Sequence, residues 1–195
     1  HALLMIANNG LAGDSGFDRK GFRYGIEAAK EMNLPITIAG HPDNQNFFNI
    51  HSELLDYDKL TLKLTNPTDE ETRALYQSNT IFLHPSFLEA GHPNLTLLEA
   101  ASSCIPVVGT YKGSKHIPGM YVIPECTTDY VVRGITETIQ TYHYRRNEMF
   151  NARNSYDWQN VANTLHKFYV NALKVNDKYD SEKTKQLYIN AYGNA

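Results

Sequence analysis

Two segments of the chain combine glycines with charged side chains just before a predicted helix. The first, Asn8–Gly21 (NNGLAGDSGFDRKG), carries glycines of which Gly10 is the earliest. Glycine lets the backbone turn tightly, and the first N–H groups of a helix are unpaired and can bind an anion. Lys20, with Arg19 beside it, stands at the helix entry, where an ammonium group can neutralise a diphosphate as a point charge. The competing interpretation is a solvated lysine on a surface loop.

The second segment, Leu88–Ala100 (LEAGHPNLTLLEA), repeats this arrangement after a later apolar run. Gly91 gives the backbone freedom to turn, and Asn94 is predicted to cap the following helix with its side chain. The N–H groups of Asn94, Leu95 and Thr96 then point outward, where a second phosphate charge can rest. The segment is therefore a second candidate anion site.

Glu99 lies about one turn into this second helix. Its carboxylate has two acceptor oxygens, which suit the neighbouring 2′ and 3′ hydroxyls of a ribose. Thr96 and Glu99 also have the spacing of a capping box, in which Glu99 only satisfies its own helix. The local sequence leaves both interpretations open. His84 and His92 flank the loop, and each can donate a hydrogen bond to a ligand or serve the structure.

Composition excludes several classes of function. The 195 residues carry a formal charge of −3 and no basic block, so binding to nucleic acid is not expected. No apolar run approaches the roughly 20 residues that a membrane span needs. Cys104 and Cys126 are too few for a disulfide framework or a metal cluster, which makes the cytoplasm the expected location. No H-x-x-x-H, C-x-x-C or D-x-D spacing is present, so no metal site is predicted.

The elements that must position these side chains alternate between short apolar runs and amphipathic stretches. Six apolar runs predict strands: ALLMIA, PITIAG, LTLKL, TIFLHP, PVVGT and MYVIP. Helices are predicted after Asp18 as N-cap, after Thr68 in a capping box with Glu71, after Asn94, and from Thr127 onward. The alternation predicts an α/β fold, a Rossmann-like doubly wound parallel sheet of about six strands with helices on both faces. Ligands of such sheets bind at the carboxyl ends of the strands, where both segments lie.

Five stretches occur along about the first 175 residues in a characteristic order. They are KGFRYGIEAAKEMNLPITIAG, NPTDEETRALYQSNTIFLHPS, HPNLTLLEAASSCIPVVGT, YVIPECTTDYVVRGITETI and YDWQNVANTLHKFY. This order resembles the C-terminal, donor-binding domain of the GT-B fold glycosyltransferases, in the large retaining family that uses nucleotide-activated sugars. The resemblance implies one half of a GT-B fold, a UDP- or GDP-sugar as donor, hexose transfer with retention, and no metal or further cofactor.

The resemblance also implies roles for individual residues. In the family, a lysine before a Gly-Phe pair holds the donor diphosphate, which corresponds to Lys20, and the glutamate of a Leu-Leu-Glu-Ala core binds the ribose, which corresponds to Glu99. The family usually has a Gly-Arg pair after the first strand, whose arginine joins the lysine at the phosphates. Here Asn8-Asn9-Gly10 follows that strand, and Arg19 is the candidate substitute.

A second glutamate of the family departs from its usual position. It normally stands with seven residues between it and the ribose-binding glutamate, and that count from Glu99 leads to Gly91. The nearest acidic residue, Glu89, lies two residues earlier. Either the loop is longer and Glu89 still reaches the sugar as a catalytic residue, or that contact is lost.

The expected organisation is a nucleotide-sugar-binding domain over residues 1–175 and a helical or partly disordered tail over 176–195. GT-B enzymes close two domains around their substrates, so an N-terminal domain is expected upstream, with the site for an unknown glycan, lipid or protein acceptor. Two alternatives remain: a sugar-nucleotide 2-epimerase on the same fold, and a non-catalytic domain that binds nucleotide sugars or acts as a scaffold.

Overall fold

Six short strands form the predicted sheet, and all of them are parallel. The computed structural model describes residues 1–8, 10–11, 16–87, 94–110 and 117–176. The strand order is β3-β2-β1-β4-β5-β6. The strands are β1 (Leu3–Ile6), β2 (Ile36–Ala39), β3 (Leu60–Lys63), β4 (Ile81–His84), β5 (Val107–Gly109) and β6 (Met120–Val122). The sequence prediction of a Rossmann-like parallel sheet is therefore confirmed.

Helices follow the strands as the alternation predicted. They are α1 (Phe22–Glu31), α2 (Gln45–Ile50), α3 (Asp69–Ser78), α4 (Leu95–Ser102), α5 (Thr128–Gln140), α6 (Tyr142–Ala152) and α7 (Trp158–Asn176). The sequence analysis did not predict α2 or the 3₁₀ turns on either side of it, Pro42–Asn44 and Ser52–Leu55. These elements lie between β2 and β3, where short polar and aromatic stretches hide the helical spacing.

Both faces of the sheet are covered, which explains why its strands are continuously apolar. Leu3 and Met5 of β1 belong to the core on the side of α1 and α5. Successive strand residues point to opposite faces, so Leu4 and its register partner Phe82 face the other side. There the ring of Tyr76 on α3 packs against Phe82, with 5.6 Å between centroids. Burying one such large side chain contributes roughly 1.5–3 kcal/mol.

The predicted capping box at the start of α3 is present. The backbone N–H of Glu71 donates to Thr68 Oγ1 at 3.2 Å, and the N–H of Thr68 donates to Glu71 Oε2 at 2.8 Å. Three acidic residues in the first turn also suit the positive end of the helix dipole. Local sequence alone therefore determines where α3 begins.

The order in which successive strands are added reverses at the centre of the sheet, between β1 and β4. β1 pairs with β2 on one side and with β4 on the other. The helix after β1 covers one face, whereas α4, which follows β4, contacts α3 on the opposite face through a Tyr76–Thr96 hydrogen bond. A doubly wound sheet opens a crevice outside the carboxyl ends of its strands at such a point. The loops after β1 and β4 flank this crevice.

The chain divides into two compact units, and the second begins at Asn154. Its helix α7, predicted from about Asp157 to Leu173, runs over Trp158–Asn176. Asp157 accepts a hydrogen bond from the backbone N–H of Gln159 at 2.9 Å at the helix start. The predicted division into residues 1–175 and 176–195 stays a prediction, because nearly all of the second part lies outside the described residues. In the described chain, no helix combines the length and apolarity needed to cross a membrane.

Candidate functional site

The loop after β1 folds back on itself and returns to the end of that strand. The backbone N–H of Arg19 donates to Gly10 O at 2.8 Å, and Leu11 and Asp18 form an antiparallel bridge. The N–H of Gly10 donates to Oδ1 of Asn44, which is buried, at 2.9 Å. Sequence reasoning missed Asn44, although a buried asparagine is unusual enough to indicate a structural role. Gly10 and Arg19 therefore lie side by side, while their role at one site stays a prediction.

Lys20 is held between the end of β1 and the end of β4. The backbone oxygen of Arg19 accepts from the N–H of Phe87 at 3.0 Å and from Ser86 Oγ at 3.2 Å. Gly21 follows with φ 71°, and a Cβ there would lie 2.1 Å from the carbonyl oxygen of Pro85. Only glycine permits this approach, which explains the Gly of the Lys-Gly-Phe motif. Lys20 itself is 9% exposed, whereas a lysine on a surface loop would be largely solvated.

Pro85, Ser86 and Phe87, which follow β4, form hydrogen bonds with three separate parts of the chain. Besides their bonds to the Arg19 backbone, the Thr110 hydroxyl donates to Ser86 O, and the Cys126 thiol donates to Pro85 O at 2.6 Å. Burial raises the pKa of Cys126 to about 12, so its thiol stays protonated and remains a donor. Cys126 is thus a structural residue that helps to fix the position of Pro85.

The N-terminus of α1 is occupied by a side chain of the chain itself. The carboxylate of Asp18 accepts from the N–H of Phe22 at 3.0 Å and from the N–H of Arg23 at 2.8 Å. Burial raises the pKa of Asp18 although these backbone bonds act in the opposite direction. The N-cap residue of α1 is Gly21, so the predicted N-cap position at Asp18 is wrong, although Asp18 binds first-turn N–H groups from three residues upstream of Gly21. The expectation that this helix start offers unpaired N–H groups to an anion is wrong for these two groups, so a ligand charge here would depend on Lys20.

The start of α4 differs from its prediction as well. Asn94 occupies the N-cap position, but its side chain makes no capping hydrogen bond. Instead, Asn94 Nδ2 lies 3.2 Å from Nε2 of His84, a buried residue at the end of β4. The predicted cap is therefore wrong. The Asn94 amide contacts His84 instead, and this contact links the start of α4 to the end of β4. Among the described residues, no acceptor lies within hydrogen-bond distance of the N–H groups of Leu95 and Thr96.

Glu99 makes no capping box with Thr96. Because α4 begins at Leu95, Thr96 lies inside the first turn and cannot be the N-cap. The exposed Glu99 carboxylate accepts instead from the hydroxyl of Tyr76, at 3.1 Å to Oε2. The capping-box alternative is thus excluded, while the ribose role of Glu99 stays a prediction. Tyr76 was missed by sequence reasoning, since nothing local links residues 23 positions apart.

The predicted site residues that the structure describes belong to two segments, one after β1 and one after β4. Gly10, Arg19 and Lys20 belong to the loop after β1, and Leu95, Thr96 and Glu99 belong to α4 after β4, with Asn94 as its N-cap. Of these, Leu95 is 65% exposed. Three further predicted residues lie outside the described residues: Glu89, Gly91 and His92. In the described ranges, no group of three or more His, Cys, Asp or Glu side chains could hold a metal ion.

Comparison with known proteins identifies the family. Residues 15–147, which include both groups of site residues apart from Gly10, match the family "Glycosyl transferases group 1". The chain belongs to this family. Among curated proteins, an uncharacterized 44.6 kDa protein in the cps region of Klebsiella pneumoniae is 35% identical over 83 residues, which are 42% of this chain and 21% of that protein. The matched stretch is thus about a fifth of that relative's length.

Solved structures of glycosyltransferases share the fold. The C-terminal domain of LpcC, a glycosyl transferase group 1 family protein from Francisella tularensis, has a TM-score of 0.56 at 16% identity, over 78% of this chain and 83% of that one. WaaG, a glycosyltransferase involved in lipopolysaccharide biosynthesis, has a TM-score of 0.55 at 21% identity, over 80% of this chain and 43% of that one. The six-stranded sheet of this group 1 chain thus corresponds to a GT-B domain, and these likenesses concern the fold alone.

Proposed function

We propose that this chain is the donor-binding domain of a glycosyltransferase that uses a nucleoside diphosphate sugar. The observation that carries the proposal is the burial of Lys20 at the crevice between β1 and β4, tied through Arg19 to the residues after β4. A lysine at this position places its ammonium group at the edge of the sheet where doubly wound folds bind their ligands. Membership of the group 1 family supplies the reaction class.

In this proposal the two sides of the crevice bind different parts of the donor. Lys20 neutralises the diphosphate from the β1 side, with Arg19 as a second cation and Gly10 allowing close approach of the backbone. The N–H groups at the start of α4, including those of Leu95 and Thr96, take the second phosphate charge. Asn94 shapes that helix start through its contact with His84.

The ribose and the sugar are assigned to the remaining residues. Glu99 accepts from the 2′ and 3′ hydroxyls of the ribose with its exposed carboxylate. Gly91 and His92, which precede α4 in the sequence, are assigned to donor binding, and Glu89 is assigned to the sugar as a catalytic residue. The donor is a UDP- or GDP-sugar in this proposal.

The proposed reaction breaks the bond between the anomeric carbon and the diphosphate oxygen. An acceptor hydroxyl forms the new bond with the same anomeric configuration and releases its proton. Negative charge grows on the leaving oxygen, where Lys20 and the helix N–H groups are already oriented and need no reorganisation. Because these groups supply the positive potential, the proposal includes no metal ion.

The acceptor site is proposed to lie on a separate N-terminal domain. The matched region covers 43% of the WaaG chain, which supports the proposal that a further domain completes the enzyme. The acceptor is a glycan, a lipid or a protein, and WaaG's part in lipopolysaccharide biosynthesis favours a glycan or glycolipid. Cys104 and Cys126 are both free, which fits the proposed cytoplasmic location.

Calorimetric titration of the chain with UDP-, GDP- and ADP-sugars tests the proposal. One of these donors is expected to bind weakly, because a second domain is proposed to complete the site. Full-length protein should then transfer the hexose, and product NMR should show retained anomeric configuration. Failure of all three donors at millimolar concentration would overturn the proposal and favour the scaffold alternative, and interconversion of two sugar nucleotides would favour the 2-epimerase.

A further inference from the structure

Tyr76 joins α3 to the two functional parts of α4. Its side chain is 4% exposed, and its ring is fixed against Phe82. The hydroxyl lies 3.0 Å from the backbone oxygen of Thr96 and 3.1 Å from Oε2 of Glu99. One buried side chain therefore contacts both the first turn of α4 and the carboxylate assigned to the ribose.

The chemistry of this contact has a fixed direction. Burial raises the pKa of Tyr76, and the negative charge and hydrogen bond of Glu99 raise it further. The hydroxyl consequently stays protonated and acts as the donor. Its single proton lies within reach of a neutral carbonyl and a carboxylate, and hydrogen bonds to charged acceptors are the stronger ones. The carboxylate of Glu99 is therefore the preferred acceptor.

This bond restricts a side chain that would otherwise be mobile. An exposed glutamate samples many rotamers, and ordering it at the moment of binding costs affinity. With Oε2 held by Tyr76, the carboxylate keeps one orientation. In the described part of the chain, no protein donor lies within hydrogen-bond distance of the other oxygen, Oε1. That oxygen is available to a ligand.

We propose that Tyr76 is a positioning residue that holds Glu99 ready for the vicinal diol of the donor's ribose. The inference rests on the proposed function and deepens it, because it names the group that orients the ribose contact. A positioning role predicts a different result from that of an ordinary core tyrosine. Loss of the Tyr76 hydroxyl should weaken recognition of the diol and leave the other contacts of the ligand intact.

Tyr57 offers a matched control. Its hydroxyl also bridges two acceptors, at 3.0 Å to Ala29 O and 2.7 Å to Leu34 O, and its side chain is 7% exposed. Both acceptors are backbone oxygens, one in the last turn of α1 and one between α1 and β2, at the edge of the sheet opposite the carboxyl ends of the strands. Tyr57→Phe therefore removes a comparable hydroxyl from a comparable environment without touching Glu99.

The experiment measures the affinity of two ligands for three proteins. The ligands are the nucleoside diphosphate of the preferred donor and its 2′,3′-dideoxy analogue, and the proteins are wild type, Tyr76→Phe and Tyr57→Phe. We expect Tyr76→Phe to weaken binding of the ribose form about tenfold, as for loss of a hydrogen bond to a charged group, and to leave the dideoxy form unchanged. Tyr57→Phe should leave both affinities unchanged. Equal weakening of both ligands by Tyr76→Phe, or no weakening, would overturn the inference.

Glu99→Gln separates this inference from the proposed function. If Glu99→Gln weakens only the ribose form while Tyr76→Phe changes nothing, the ribose role of Glu99 stands and Tyr76 has no positioning role. If wild type binds no nucleoside diphosphate, both proposals fail together. Should Tyr76→Phe not fold, the wild-type protein still provides a test by NMR of the Tyr76 hydroxyl proton. Its signal should shift with the ribose form and not with the dideoxy form, and equal shifts with both would contradict the proposal.

Discussion

The segments around β1 and β4 have the same order of parts, a strand followed by a glycine-containing loop and a helix. The starts of their helices nevertheless differ. At α1, Asp18 accepts hydrogen bonds from the N–H groups of Phe22 and Arg23. At α4, the N-cap residue Asn94 makes no capping bond and turns to His84 instead. The comparison shows that a strand-glycine-helix pattern is not in itself an anion site, because a nearby carboxylate of the same chain can occupy the N–H groups.

In the proposed site, the positive charge therefore comes from different groups at the starts of α1 and α4. On the β1 side the N–H groups of Phe22 and Arg23 bind Asp18, so in the proposed site Lys20 would supply the positive charge. On the β4 side the N–H groups of Leu95 and Thr96 have no acceptor among the described residues. In the proposed site, one side would therefore bind the diphosphate with a point charge and the other with oriented backbone N–H groups.

The largest effect is expected where the β1 loop meets the end of β4. Gly21→Ala would place a Cβ 2.1 Å from Pro85 O at φ 71°, whereas Gly16→Ala has φ 69° and no atom within 4 Å. We expect about 3–5 kcal/mol of destabilisation for Gly21→Ala, from backbone strain plus overpacking, and about 1–2 kcal/mol for Gly16→Ala. Urea unfolding of both variants measures this. Equal losses would show that the approach to Pro85 is not tight.

Charge on the β1 side is tested next. Lys20→Met keeps most of the buried stem and removes the ammonium, so donor affinity should fall about 10- to 100-fold with little change in Tm. Lys30→Met, at the exposed far end of α1, is the matched control and should bind donor like wild type. Calorimetry gives both affinities. An unchanged affinity in Lys20→Met would mean that the backbone on the β4 side binds the diphosphate without it.

Removal of the Asp18 carboxylate at the start of α1 is expected to have a smaller effect on stability, and this effect should depend on pH. Asp18→Ala should cost about 1–2 kcal/mol, as for loss of a helix cap. Because burial raises the pKa of Asp18 above its ordinary 3.8, the folded state favours the protonated form. The stability of wild type relative to Asp18→Asn should therefore be highest in acid and decline as the pH rises through the raised pKa.

Urea unfolding of wild type and Asp18→Asn between pH 3 and pH 7 tests this pH dependence. A stability difference that grows with pH would mean that the bonds from Phe22 and Arg23 outweigh burial. A difference that stays flat would mean that the two effects cancel.

The smallest effect contrasts the starts of α3 and α4. Thr68→Ala removes a complete capping box and should cost about 1 kcal/mol. Thr96→Ala should change the free energy of unfolding by less than about 0.5 kcal/mol, because Thr96 lies inside the first turn. Thermal melts of the two variants measure this. A loss in Thr96→Ala as large as that in Thr68→Ala would restore the capping-box interpretation.

Much of the fold could be predicted because it depends on short-range patterns. The runs ALLMIA and TIFLHP are apolar throughout, as strands buried on both faces must be, and they became β1 and β4. Thr68 and Glu71 satisfy each other within one turn, so their spacing is sufficient evidence for a helix start. Lys20 and Glu99 were selected by the same local logic and by resemblance to a family motif.

The details of the site could not be predicted because they join distant segments. Asn44 supports Gly10 across 34 residues, and Tyr76 reaches Glu99 across 23. Each contact depends on the length and orientation of two elements that the sheet brings together, and many polar residues in the chain have the same chemistry. Short-range spacing cannot choose among them.

The sequence by itself determined the alternation of strands and helices, the family and the candidate residues, because burial periodicity and capping depend on neighbours within a few positions. Only the tertiary structure decided which groups those residues contact. It gave the N–H groups at the start of α1 to Asp18, turned Asn94 to His84, and placed the hydroxyl of Tyr76 on Glu99. The physical reason is that a hydrogen bond forms where packing brings donor and acceptor within about 3 Å, and the strand order sets those distances.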